Sequence, residues 1–198
     1  MSNRIITISR EFGSGGRTIG KEVANRLGIP CYDQELIDKI AEESGLSKEF
    51  IKEQGEYAVS GNFLNSVISG RDFYGHSYQD DIWIMQRKII LDLAQKESCV
   101  IIGRCADRIL REHADLLTVF IHASMEKRIE RITRVYGESS ETPEKRLRDK
   151  DKRRKAYYQL YTDAEWGNVR NYHIALDSGV LGIEKCADII VQLYSLGQ

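Results

Sequence analysis

The sequence predicts a three-layer α/β fold built on a parallel β-sheet, and three observations carry that expectation. Short β-branched, largely apolar runs recur at Ile5-Ile6-Thr7-Ile8, Cys99-Val100-Ile101-Ile102, Leu116 to Ile121 and His173-Ile174-Ala175-Leu176. Strands buried on both faces read as such runs rather than as an alternation. Between them lie longer stretches whose apolar residues return every three or four positions, the spacing of an amphipathic helix. A glycine cluster, Gly13-Ser14-Gly15-Gly16, joins the first run directly to the first helical stretch. Strands alternating with helices, connected by right-handed crossovers, leave helices on both faces of the sheet.

The elements follow in order. Arg4 to Ser9 is the first strand, and Ile19, Val23, Ala24 and Leu27 mark a helix from Arg17 that stops at Gly28. Pro30 to Asp33 reads as a second short strand. Leu36, Ile37, Ile40 and Ala41 then line one face of a helix from Gln34 to about Ser44. The stretch from Gly55 to Asp80 mixes glycines and aromatics and is expected to be irregular, with a short helix around Phe63 to Ile68. Asp81 to about Lys96 is again amphipathic, through Ile82, Met85, Ile89, Ile90 and Leu93. Two strands end at Ile102 and Ile121. Helices are expected over Met125 to Val135, Pro143 to about Gln159 and Ile183 to Leu193, with a last strand at His173 to Leu176. The carboxyl ends of the strands, where parallel sheets collect ligands, carry Ser9-Arg10-Glu11, Asp33, Gly103-Arg104 and Asp177-Ser178.

Composition narrows the function classes. A chain of 198 residues suits one domain, and 41% apolar with 30% charged residues is a globular balance rather than a disordered one. Twenty-nine Lys and Arg against 30 Asp and Glu leave a net charge of −1, which excludes a broadly basic nucleic-acid binder. No apolar run approaches the roughly 20 residues of a membrane span, and the opening residues meet charge at Arg10-Glu11, unlike a signal peptide. Cys31, Cys99, Cys105 and Cys186 form no CxxC pair, so reduced thiols in a cytoplasmic protein are expected. No repeat, low-complexity tract or linker divides the chain.

The glycine loop, Glu11 to Thr18, carries the clearest chemistry. Small residues let consecutive backbone N–H groups turn inward, and the helix N-terminus adds about half a positive charge. Against the phosphate-loop pattern G-x-x-x-x-G-K-[ST], Gly16 and Thr18 fit, Glu11 stands at the first glycine and Arg17 at the lysine. The alternative is a glycine turn that merely starts a helix. The strand before it and the helix after it favour the phosphate reading. Arg17 retains a permanent cation with a fork suited to phosphate oxygens. Gly13, Ser14, Gly15, Gly16, Arg17 and Thr18 are therefore the expected phosphate-binding residues. Thr18 is the candidate magnesium ligand, with a first-turn hydroxyl bonded to backbone as the alternative.

Ile8-Ser9-Arg10-Glu11-Phe12-Gly13-Ser14-Gly15-Gly16-Arg17, followed by Ile102-Gly103-Arg104 and an Asp/Arg-rich helix, resembles the cytidylate kinase-like family of P-loop nucleoside monophosphate kinases. The resemblance runs from about Arg4 to Leu193. It implies one P-loop kinase-like domain with a five-stranded parallel core at 1–54, 81–138 and 168–198. It also implies an acceptor-binding arm at about 55–80 and a lid at about 139–167. The implied activity is transfer of the ATP γ-phosphoryl group to a nucleoside monophosphate of the CMP or dCMP kind, with magnesium. Where cytidylate kinases carry Asp-Gly-Arg-Asp, this chain has Ile102-Gly103-Arg104-Cys105, so Arg104 carries over as an acceptor-binding residue and both aspartates are lost. By spacing, Asp151 and Arg154 match the family's lid Asp-x-x-Arg, with Arg148 one turn earlier; with Arg17 these are the implied catalytic residues.

Phosphoryl transfer needs donor, acceptor and metal held in line, with cations where charge spreads. Lys145 to Lys155 holds much of the chain's local positive charge, and 148, 151, 152 and 155 share one helical face. The alternatives are a solvated charged helix or a nucleic-acid patch. Asp33 is expected to orient an acceptor hydroxyl or, equally, to cap the following helix. Glu11 should pair with Arg10 or another cation. His122 and His173 are expected to be satisfied core histidines, and no Ser/His/Asp set or metal-ligand cluster stands out. The expected partners are a nucleotide or another small-molecule acceptor, with no nucleic acid and no membrane; oligomeric state is open, a homo-oligomer included. Two other functions stay in view: a kinase of a small hydroxylated metabolite, and an inactive nucleotide-binding regulatory module.

Overall fold

The computed structural model describes residues 3–45, 47, 48, 51, 78–137 and 139–196. Five parallel strands, β1 (Arg4–Arg10), β2 (Cys31–Tyr32), β3 (Cys99–Ile102), β4 (Asp115–His122) and β5 (Ile174–Asp177), form one sheet in the order β2-β3-β1-β4-β5. Side chains alternate across a strand, and the core divides accordingly. Ile5, Cys99 and Ile101 pack with Leu36, Ile40, Ile90 and Leu93 on one face. Ile6, Ile8, Val100, Ile102, Val119 and Ile121 pack with Ile19, Val23, Ala187 and Ile190 on the other. Burying each such Ile or Leu contributes about 1.5–3 kcal/mol. A strand apolar at every position can stabilise helices on both sides at once.

The helices are α1 (Gly16–Leu27), α2 (Gln34–Ser44), α3 (Tyr78–Lys96), the four-residue α4 (Ala106–Ile109), α5 (Met125–Tyr136), α6 (Pro143–Thr162) and α7 (Ser178–Leu196). Local signals explain their ends. Gly15 and Gly28, both left-handed, bracket α1; Ser124 caps α5 by accepting from the Lys127 N–H; Thr142 caps α6 ahead of Pro143. Helix α3 starts three residues before the expected Asp81, because Asp80 and Asp81 both favour a first turn. Helix α6 continues past Gln159 to Thr162, where Tyr161 stacks on Trp83 with ring centroids 4.4 Å apart. Helix α7 carries an extra turn before Ile183, broken at Gly182 by a backbone conformation reserved to glycine.

Parallel strands put every carboxyl end on one edge of the sheet. The neighbours β1 and β4 lead away to opposite sides, to β2 and to β5, and so open a crevice between their ends. The glycine loop leaves β1 at this crevice. The expected arm at about 55–80, with its helix around Phe63 to Ile68, lies outside the described residues except for 78–80, which open α3.

Candidate functional site

The loop is fastened from below and open above. The single Ser14 hydroxyl proton lies between two carbonyl acceptors, Glu11 at 2.9 Å and Ile121 at 3.1 Å; the Ser178 hydroxyl donates to the Ser14 carbonyl at 2.5 Å. Gly15 has φ +82°, and a Cβ there would lie 2.5 Å from Ile183 Cδ1. Only glycine meets both demands. The backbone N–H groups of Gly15, Gly16, Arg17 and Thr18 meet no acceptor among the described residues. These are the orphan donors of a helix start, and they suit an anion. A cavity of about 190 Å³ lies against them, lined by Gly13, Gly16, Thr18, Arg131, Tyr136 and Arg154 among others. A second, of about 290 Å³, lies beyond Ser14 between Lys127, Arg131, Arg134, Ser178 and Ile183. A larger hollow of about 380 Å³ is lined by side chains of α3, α4 and α6, including Trp83, Arg108 and Tyr161, and not by the loop.

Helices α5 and α6 grip the loop through charge. Asp151 accepts the Phe12 N–H at 2.7 Å and pairs with Arg128, whose guanidinium also donates to the Phe12 carbonyl at 3.2 Å. Glu11, expected to pair with Arg10 or another cation, lies 3.5 Å from Arg128 Nε, and its Oε2 accepts the Ala123 N–H at 3.2 Å. Arg154, 5% exposed, donates to the Arg10 carbonyl at 2.8 Å and lies over the Phe12 ring. The expected face of 148, 151, 152 and 155 is divided: Arg148, Lys152 and Lys155 are exposed, while Asp151 is turned to the loop. A carboxylate bonded to loop backbone cannot stay on a solvated stripe.

Two expected site residues meet each other. Arg17 Nε lies 2.5 Å from Asp33 Oδ2, and its Nη2 is 3.4 Å from Oδ1. Asp33 stands at the start of α2 but makes no side-chain cap there, because the guanidinium takes its oxygens. The Thr18 hydroxyl accepts from Arg131 at 2.8 Å. Arg104 is buried, with its Nη1 3.4 Å from Gln86 Oε1, while Gln86 Nε2 donates to the Arg104 carbonyl and to the Tyr157 hydroxyl. Arg104 and Cys105 both have positive φ, 59° and 54°. Such backbone costs about 1–3 kcal/mol per residue and persists only where surrounding contacts impose it.

The histidine expectation is corrected. His173 is exposed, because it precedes β5; its Nδ1 accepts the Thr118 N–H at 3.2 Å. His122 is half-buried at the end of β4 and stacks on Phe120. All four cysteines are free thiols, and burial, with Asp33 and Glu35 nearby, pushes Cys31 up to about 11. No group of three or more His, Cys, Asp or Glu among the described residues could hold a metal ion. Sequence reasoning missed Arg128, Arg131 and Gln86. Arg128 carried a readable signal: four residues before Ile132, it stands on the apolar face of α5, and a charge on that face needs partners.

Strand order, the glycine loop at the switch point and the arginines around it define a P-loop kinase. The chain belongs to the cytidylate kinase-like family, whose model matches residues 5–180. It is 25% identical over 187 residues to the cytidylate kinase of Pyrobaculum islandicum, covering 93% of this chain and 89% of that protein. It resembles the crystal structure of an uncharacterized protein from Eubacterium ventriosum at TM-score 0.74 and 28% identity, covering 98% of this chain and 99% of that one. A gluconokinase from Sinorhizobium meliloti shares the fold at TM-score 0.57 and 16% identity, covering 100% of this chain and 98% of that one. No helix among the described residues is long and apolar enough to cross a membrane.

Proposed function

We propose that this phosphotransferase moves the γ-phosphoryl group of ATP to a nucleoside monophosphate of the CMP or dCMP kind. The observation that carries the proposal is the row of unpartnered backbone N–H groups from Gly15 to Thr18, bounded by Arg17 and Arg131. Gly13 to Thr18 hold the donor phosphates. The preformed donors suit oxygens on which negative charge builds, and they need no rearrangement during the reaction. Arg17 serves in place of the lysine, with a bidentate fork rather than a point charge. Asp33 and Arg104 hold the acceptor, at the ends of β2 and β3.

Asp151 and Arg154 act by holding the loop at Phe12 and Arg10, where they already make their bonds. Arg148, exposed one turn before Asp151, is the lid cation free to approach the transferring group. The Thr18 hydroxyl suits magnesium, which takes few protein oxygens and finds most of its ligands in phosphates and water. When bound, magnesium would neutralise charge on the donor phosphates, with the Thr18 hydroxyl, which also accepts from Arg131, as the protein oxygen that would hold it. The reaction belongs to a soluble nucleotide-handling enzyme of the cytoplasm.

The test is an acceptor panel. Protein, magnesium and ATP are incubated with nucleoside monophosphates and with small alcohols, and ADP is followed. Turnover with CMP or dCMP is the expected result. Turnover only with a hydroxylated metabolite replaces the acceptor, and tight ATP binding without acceptor-stimulated ADP refutes both.

A further inference from the structure

We infer that Asp33 is a positioning residue for Arg17, and that their ion pair couples the donor site to the acceptor site. The inference rests on the proposed reading of Arg17 and Asp33 and specifies how the two residues work together. Arg17 follows the last loop glycine, and its N–H belongs to the open row above the loop. Its side chain is nevertheless drawn to the end of β2, where Nε lies 2.5 Å from Asp33 Oδ2. The partners differ in exposure: the Asp33 side chain is 9% accessible and Arg17 is 52% accessible. The carboxylate is therefore the anchored member and the guanidinium the reachable one.

A guanidinium keeps its charge at any working pH and carries five N–H donors in one plane, of which the Nε and Nη2 edge faces Asp33 here. With its Nε and Nη2 on Asp33, that edge of the guanidinium is not available to phosphate. A bound polyphosphate carries more negative charge than one carboxylate and draws Arg17 back over the loop. That movement leaves a nearly buried carboxylate without its partner, a costly state unless a donor arrives. An acceptor hydroxyl is such a donor. Donor binding thus prepares Asp33 for the acceptor, and by linkage acceptor binding at Asp33 releases Arg17 for phosphate with the same factor. A simple staple between α1 and β2 would behave differently: removing it would loosen the loop and weaken phosphate binding.

The experiment is a double-mutant cycle read by titration calorimetry with magnesium-ADP, on the full chain. Arg17→Ala should weaken ADP binding about tenfold, and Asp33→Asn should tighten it about fivefold, within the usual range of coupling between sites. In the Arg17→Ala background, Asp33→Asn should change affinity less than about twofold, since there is no guanidinium left to release. Asp33→Glu, which keeps a charge to hold Arg17, should stay near wild type. Thermal melts establish that each variant is folded; should Asp33→Asn misfold, Asp33→Ser takes its place. Unchanged or weaker ADP binding in the folded Asp33 variant overturns the inference. Equal tightening in both backgrounds also overturns it, because removal of a nearby negative charge then explains the gain. Unchanged ADP affinity in Arg17→Ala refutes instead the reading of Arg17 as the phosphate cation.

Discussion

Replacing Asp151 by alanine removes a carboxylate that reaches across the chain to the glycine loop. It takes away the acceptor of the Phe12 N–H at 2.7 Å, the partner of Arg128, and a charge 3.9 Å from Arg154. Breaking one side of a buried pair costs about 3–5 kcal/mol. The full cost does not apply here: Asp151 is 17% exposed, and Arg128 keeps Glu11 and the Phe12 carbonyl. The expected loss is about 2–3 kcal/mol, equivalent to a Tm lowered by roughly 5–10 °C in a domain of this size. Asp151→Asn retains an oxygen for the Phe12 N–H and should lose about half as much. The assay is calorimetric or denaturant unfolding of both variants, with magnesium-ADP titration alongside. A loss below about 0.5 kcal/mol for Asp151→Ala would place it with ordinary surface substitutions and refute the view that α6 holds the loop through this residue.

Three further outcomes follow from other parts of the molecule. Gly15→Ala puts a Cβ at φ +82° and against Ile183, so denaturant unfolding should show a loss of about 2 kcal/mol or more, with ADP binding impaired. Burial raises the Asp107 carboxyl above its ordinary 3.8, outweighing the Tyr158 hydroxyl that donates to it at 2.6 Å. The folded state then holds that proton more tightly than the unfolded one. Its contribution is present below the ordinary carboxylate range and is lost as pH rises through the raised value, and Asp107→Asn should flatten this slope in pH-dependent unfolding. Cys31, pushed up to about 11, and Cys99, pushed up to about 12, should react with a thiol reagent at pH 8 far more slowly in the folded protein than after denaturation, when four thiols titrate. Rapid labelling of both thiols in the native chain would contradict the raised values of the buried Cys99 and the half-buried Cys31.

The structure agrees with the sequence where the signal is local. Cys99 to Ile102 reads as a doubly buried strand because consecutive apolar residues face both helical layers, and the strand is found with those bounds. Gly15 and Gly28 mark the ends of α1 because positive φ is a property of single residues. Helix α4 was not legible: four residues set by two consecutive left-handed positions, Arg104 and Cys105, leave no periodicity to read. The end of α6 was read short because its last turn depends on Trp83, far away in the sequence.

The candidate site divides along the same line. The loop could be read from its glycines and from the strand before it, since backbone conformation and the helix N-terminus are short-range properties. Its partners could not be read. Asp151 reaches Phe12 across 139 positions, Arg128 joins Glu11 to Asp151, and Arg17 lies on Asp33. By itself the sequence determined a parallel three-layer domain with a phosphate loop and a surplus of arginines. Only the tertiary structure decided which arginines the loop uses, because ion pairs depend on distances of a few ångströms between elements that periodicity leaves unplaced.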